Sequence, residues 1–168
     1  VQCADTLVLA ANNPSPGIGT WGVKGGSGKA VFDNPNDPFT TVRALDRGDN
    51  VITWTIMYKN CPSVSQITIT NNMPSVANAG GDQTLCTSNS TVLNASKPAV
   101  GQGVWTIRSG GGIIAGETSN STALTDVAFG DNIFNWRVEY KGCYSEDDVV
   151  VSYNRIEASA GPSEVICS

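Results

Sequence analysis

One stretch with apolar residues at alternate positions occurs twice in this chain. In Gly130–Tyr140 the apolar side chains occupy every second position, at Phe134, Trp136, Val138 and Tyr140. In Gly48–Tyr58 they do so again, at Ile52, Trp54, Ile56 and Tyr58. A period of two predicts a β-strand with one face buried and the other exposed to solvent. The pattern therefore predicts a fold organised around two copies of one strand.

Other landmarks recur at nearly the same spacing. Cys86 follows Cys3 by 83 residues (86 − 3), and Cys143 follows Cys61 by 82 (143 − 61). The tryptophans recur as Trp21 with Trp105, and Trp54 with Trp136. Such self-similarity predicts a tandem repeat. We expect a first repeat at residues 1–76 that lacks its opening residues, a second at 77–157, and the start of a third at 158–168.

Within each repeat, several short strands separated by turn residues are predicted. Beside the long strand, strands are expected near Cys86, at residues 6–10 and 91–95, at 19–23 and 103–107, at 40–42 and 122–124, and in a last strand around Ile67 and Val149. The 18 glycines and the scarcity of Lys and Glu favour sheets and turns, and no window predicts a helix. This arrangement in about eighty residues is typical of a β-sandwich. The predicted fold class is all-β, with tandem sandwich domains.

Charge and composition exclude several functions. The net charge is −5 with no basic cluster, which argues against a nucleic-acid partner. No run of eighteen apolar residues exists, so direct membrane insertion is not expected. The chain has no histidine, which excludes Ser–His and Cys–His nucleophilic catalysis. We expect no enzyme activity and no catalytic or cofactor-binding residues.

Two motifs resemble known domain families. Asp46-x-Gly48-x-Asn50 before the long strand resembles the turn that precedes strand F of immunoglobulin-like (Ig-like) domains, with Asn50 where those domains have tyrosine. The order Ala-Gly-x-Asp-Gln-x-x-Cys, Gly-x-Gly-x-Trp, Gly-x-Asn-x-x-x-Trp and Gly-Cys or Asn-Cys resembles PKD-like/Ig-like tandem repeats of secreted surface proteins of the Bacteroidota, such as the SprB-type gliding adhesins. This resemblance implies an Ig-like fold, secretion to the bacterial cell surface and an adhesive or stalk function.

The five cysteines allow two pairing schemes that keep the period. Pairing within repeats joins Cys3 to Cys61 and Cys86 to Cys143, whereas pairing across the linker joins Cys61 to Cys86 and Cys143 to Cys167. Sequence cannot settle the connectivity. We prefer pairing within repeats, because an internal disulfide suits a small extracellular domain with a thin core. Cys167 is then expected to be unpaired.

The remaining candidate site residues have both structural and functional interpretations. Trp21, Trp54, Trp105 and Trp136 recur in register, which favours core packing over a sugar-stacking surface. Asp33 and Asp37 lie in a segment rich in Asn, Asp and Pro, which indicates a turn and offers oxygen ligands for a weakly expected Ca²⁺ site.

The functional hypothesis is a structural or adhesive repeat segment of a large extracellular bacterial surface protein or filament. It would act as a disulfide-stapled stalk that supports attachment or gliding. The expected partners are neighbouring repeats, further copies in a filament, or surface glycans. The alternative hypothesis is a carbohydrate-binding accessory module of a secreted enzyme, which exposed aromatics that differ between the repeats would favour.

Overall fold

The computed structural model describes residues 3–26, 28–159 and 161. Within them the chain forms thirteen β-strands and no helix, which confirms the all-β prediction. A helix long and apolar enough to cross a membrane is absent from this part of the chain. Contacts divide the chain into two compact units: unit 1 is Val1–Ser75 with Glu139–Ser145, and unit 2 is Val76–Val138 with Glu146–Ser168. Most of the expected third repeat, Cys167 included, lies outside the described residues.

Together with residues 139–145, unit 1 contains the first six strands. They are β1 (Leu7–Val8), β2 (Ile18–Gly25), β3 (Val31–Phe32), β4 (Thr41–Arg43), β5 (Gly48–Tyr58) and β6 (Cys61–Asn71). One antiparallel sheet has the order β2-β5-β6 and the other β1-β4-β3. The apolar sides of both sheets form one core, which contains Leu9, Trp21, Val42, Leu45, Ile52, Trp54 and Ile69.

Unit 2 follows the same plan with seven strands in its described residues, although the tip of its last hairpin, residues 139–145, is grouped with unit 1. Its strands are β7 (Gln83–Leu85), β8 (Thr91–Asn94), β9 (Gln102–Ser109), β10 (Ile113–Ile114), β11 (Ser121–Thr125), β12 (Gly130–Tyr140) and β13 (Cys143–Tyr153). The sheets have the orders β7-β13-β12-β9 and β10-β11-β8. The short strand β7 runs parallel to the end of β13, with Leu85 opposite Tyr153. Trp105, Phe134 and Trp136 are buried in the core between these sheets.

The predicted strands are present, but two strands were missed. β3 and β10 have only two residues each, which is too short for an alternating pattern to be recognised. Each lies at the same place in its repeat and pairs with the Thr-containing strand that follows, as Phe32 does with Val42. The sandwich therefore closes through strands that carry almost no sequence signal.

Both expected cysteine pairings are wrong, because the structure joins Cys3 to Cys143. In unit 2, Cys86 follows β7, whose Leu85 lies opposite the last residue of β13, Tyr153. Cys143 begins β13, ten residues earlier (153 − 143), which corresponds to about 33 Å along a strand. A disulfide needs Cα atoms about 4.4–6.8 Å apart, so Cys86 and Cys143 cannot meet. Pairing across the linker is also absent, since Cys61 and Cys86 are free thiols.

Candidate functional site

The Cys3–Cys143 disulfide joins the two sequence repeats covalently. Its Cα atoms are 5.4 Å apart, within the usual range for a disulfide, and Cys143 is buried. Cys3 has the position in the first repeat that Cys86 has in the second, and Cys143 is the counterpart of Cys61. The bond therefore connects the opening of one repeat with the long hairpin of the next.

The hairpin that carries Cys143 has a counterpart of the same local conformation around Cys61. Two residues with positive φ connect β5 to β6, Lys59 at 46° and Asn60 at 66°. Between β12 and β13, Lys141 has φ 47° and Gly142 has φ 83°. Positive φ at both central residues is the mark of a type I′ hairpin turn, which matches the twist of the strands. The first hairpin therefore presents Cys61 on the same kind of turn that presents Cys143.

All four tryptophans lie in the two cores, as two tilted pairs. The rings of Trp21 and Trp54 have centroids 4.9 Å apart, and those of Trp105 and Trp136 are 5.0 Å apart. In each pair the first indole donates a hydrogen bond to a loop carbonyl, from Trp21 to Asp37 and from Trp105 to the corresponding loop. These side chains are buried in the two cores.

A glycine permits each tryptophan pair to pack. A Cβ atom added at Gly103 would lie 1.9 Å from Cζ2 of Trp136, and one at Gly19 would lie 2.0 Å from Cζ2 of Trp54. Neither distance is possible for a real side chain. The Gly-x-Trp motif therefore has a packing function, since its glycine leaves room for the partner indole.

A buried asparagine ties the turn before each long strand to its neighbours. The Asn132 amide donates to the carbonyls of Ala128 (2.8 Å), Gly130 (2.9 Å) and Val151 (3.1 Å), and its Oδ1 accepts from the Gly111 N–H. Asn50 bonds its own turn and the next strand in the same way. These residues occupy the tyrosine position of the Ig-like turn, and they replace its single hydroxyl with several backbone contacts. In the sequence, the repeated Gly-x-Asn motif marks the turn that this asparagine holds together.

The carboxylates proposed for calcium are engaged by protein donors. Both oxygens of Asp33 accept hydrogen bonds from the Arg43 guanidinium, at 2.8 Å each, and this bonding lowers the pKa of Asp33. Asp37 accepts a hydrogen bond from the Phe39 backbone N–H. In the described part of the chain no three His, Cys, Asp or Glu side chains are grouped to hold a metal ion. A Ca²⁺ site here stays a prediction.

Several exposed aromatics differ between the repeats, a feature that sequence reasoning missed. Phe129 is 75% exposed, and the corresponding residue of the first repeat is Arg47. The Phe129 ring lies edge-on to the Tyr153 ring, with centroids 6.4 Å apart. A separate surface hollow of about 450 Å³ in unit 2 is lined by Lys97, Gln102 and Asn120 among others. Both features lie in unit 2.

Comparison with known proteins finds a fold and no family. No protein-family model and no curated protein matches the chain. Among solved structures, the chain is similar to the insect immune protein hemolin at a TM-score of 0.53 and 11% identity, over 91% of this chain and 44% of hemolin. That likeness shows an Ig-like fold and, at this identity, nothing more.

Two PKD domains are also similar over about one repeat. The PKD domain of the KIAA 1837 protein matches at 25% identity and a TM-score of 0.42, covering 53% of this chain and 92% of that domain. The PKD domain of human KIAA0319 matches at 21% identity and a TM-score of 0.41, covering 54% of this chain and 88% of that domain. The scores are too low to distinguish PKD from other Ig-like domains, so the fold assignment depends on hemolin and on the sheet order.

Proposed function

We propose that this chain is a tension-resisting scaffold segment of a large extracellular bacterial surface protein or filament, where it extends from the cell and supports attachment or gliding. The observation that carries the proposal is the Cys3–Cys143 disulfide between successive repeats. A surface scaffold must keep its length under tension. This disulfide lies where it can limit how far the chain extends under tension.

The disulfide changes the path that tension takes through the chain. When the two ends are pulled, force reaches Cys3, crosses the sulfur–sulfur bond and leaves from Cys143. The 139 residues between the two cysteines (143 − 3 − 1) are excluded from that path. If they unfolded, they could not add length. The hidden contour length is about 500 Å, at about 3.6 Å per extended residue.

Two further observations support a place outside the cell. Disulfides persist in oxidising compartments and are rare in the reducing cytosol. Hemolin, which shares the fold, is described with implications for homophilic adhesion. Both are compatible with a repeat that links to others of its kind.

Force spectroscopy tests this proposal. The chain is held by handles at its two ends and pulled with the disulfide intact, and then again as the Cys3→Ser variant. We expect the variant alone to release about 500 Å of additional length as its repeats unfold, since 139 residues enter the load path. Cys61→Ser is the matched control, because it removes a free thiol and should behave like the parent. Equal extension of parent and Cys3→Ser would refute the proposal.

Glycan binding is the second candidate, and Phe129 favours it. Aromatic faces stack on sugars, and this ring is exposed in one repeat only. Titration of the chain with a panel of surface oligosaccharides should detect binding that Phe129→Ser abolishes and Val31→Ser, at another exposed apolar residue, leaves intact. This candidate would be eliminated if no oligosaccharide bound, or if Phe129→Ser left the affinity unchanged.

A further inference from the structure

The observed disulfide defines a pairing rule for the repeat. Cys3 follows the opening of one repeat, and Cys143 begins the last strand of the next repeat. Cys86 and Cys61 have the same two positions in the other repeats. By this rule, Cys86 should pair with the hairpin cysteine of a repeat that follows the second repeat. Cys61 should pair with the opening cysteine of a repeat that precedes the first repeat.

We propose that Cys86 of one copy of this chain forms a disulfide with Cys61 of a second copy placed after it, so that copies join head to tail. The partner is a repeat of the same kind in a second copy of this chain. This inference depends on the proposed scaffold function and names its partner.

Three observations support this pairing. Cys61 and Cys86 are both exposed thiols, so each is accessible to a second molecule. The turn that presents Cys61 has the two positive-φ residues of the turn that presents the bonded Cys143. In both hairpins the lysine of the turn lies over the preceding tyrosine, with Nζ 5.3 Å from the ring centroid for Lys59 on Tyr58 and for Lys141 on Tyr140. The unpaired hairpin already has the local conformation of the paired one.

The reaction is an ordinary thiol–disulfide exchange with an external oxidant. The Cys86 thiolate attacks glutathione disulfide and releases one glutathione, which leaves a mixed disulfide on Cys86. The Cys61 thiolate of the second copy attacks that sulfur and releases the second glutathione. Two thiols lose two protons and two electrons, and one glutathione disulfide is reduced to two glutathione molecules.

Two complementary variants test the pairing in the full chain. Both carry Cys167→Ser, so that only Cys61 and Cys86 are free besides the Cys3–Cys143 bond, which peptide mapping verifies in each sample. One variant adds Cys61→Ser and the other adds Cys86→Ser. Each is incubated in a glutathione buffer alone and in an equimolar mixture. Products are separated without reductant and mapped.

We expect the mixture to form Cys61–Cys86 dimers about tenfold more abundantly than either variant alone forms dimers, a preference of ~1.4 kcal/mol. The Cys167→Ser parent, which keeps both thiols, should form a ladder of longer species, because head-to-tail contacts leave one thiol free at each end. Equal dimer yields in all three samples, no dimers at all, or a Cys61–Cys86 bond inside one chain would overturn the proposal. The force measurement has a separate readout, so a failure of this pairing can be distinguished from a failure of the proposed scaffold function.

Discussion

The last strand of each repeat has the same landmarks and very different surroundings. Val149 on β13 is 1% exposed, whereas its counterpart Ile67 on β6 is 42% exposed. In unit 2 the segment before β7 covers the edge of β13: the Ala79 N–H donates to Asp147 at 2.7 Å, and the Val150 N–H donates to Asp82 at 2.8 Å. In the described residues of unit 1, no strand pairs with the outer edge of β6. In unit 2 this covering segment therefore shields the edge of β13.

The outer faces of the two hairpins differ as well. In unit 2, Arg108 pairs with Glu146 at 2.6 Å and with Asp148 at 2.9 Å. The corresponding positions in unit 1 carry one cation, Lys24, whose ammonium bonds the neutral side chain of Gln66 at 3.0 Å. Unit 2 therefore has a charged sheet face, and unit 1 has a mostly neutral face with exposed apolar side chains. The two repeats thus have similar cores but different surfaces.

The two cores are packed in the same way, so matching substitutions should destabilise both units equally. This destabilisation is the largest effect that we expect. Gly103→Ala and Gly19→Ala should each cost about 3 kcal/mol in unfolding free energy, because overpacking displaces a buried indole. Denaturant unfolding followed by tryptophan fluorescence measures the cost. Gly81→Ala is the control, since a Cβ there meets nothing within 4 Å. A small loss for Gly19→Ala alone would show that the two cores are not equivalent.

The covering segment should stabilise unit 2. Asp147→Ala removes the acceptor of the Ala79 N–H, and we expect a loss of about 1–2 kcal/mol, typical of a backbone donor that loses a charged partner. Hydrogen exchange of Ala79 and of the outer amides of β13 should accelerate. Ser65→Ala, at the corresponding position of unit 1, should change neither quantity. Unaltered exchange at Ala79 in Asp147→Ala would contradict the account of the covering segment.

The charged face of unit 2 should contribute little and should depend on salt. Arg108→Ala should cost about 0.5 kcal/mol at low ionic strength and less in 1 M salt, because exposed ion pairs are weak and screened. Lys24→Ala should show no salt dependence, since Lys24 bonds a neutral amide. Thermal unfolding at two salt concentrations provides the comparison. A salt-independent loss for Arg108→Ala would indicate packing by its aliphatic stem instead.

The smallest effect is the titration of Asp33 in unit 1. Hydrogen bonding to Arg43 lowers the pKa of this carboxyl. A lowered pKa in the folded state means that the stabilisation is complete above the usual pKa and is lost as the pH falls through the folded pKa. Carboxyl NMR titration should place Asp33 below the usual aspartate value, and Arg43→Gln should restore that value. An ordinary Asp33 pKa in the parent would show that the ion pair does not persist in solution.

The sequence predicted what depends on local pattern. Alternation located β5 and β12, and the repeated tryptophans indicated the two cores, because a strand's buried face can be recognised from its own residues. The unequal burial of Ile67 and Val149 could not be predicted, since it depends on a segment far along the chain. The prediction of cysteine connectivity was wrong for the same reason. The parallel pairing of β7 with the end of β13 separates Cys86 from Cys143, and no local pattern encodes that register.

The account depends most on the bond between Cys3 and Cys143. Digestion of the oxidised chain without reductant, with free thiols blocked first, followed by mass spectrometry, tests it directly. For the monomeric fraction, the account predicts one peptide pair that joins Cys3 to Cys143, and alkylated Cys61 and Cys86. Peptide pairs that join Cys3 to Cys61 and Cys86 to Cys143 would contradict it.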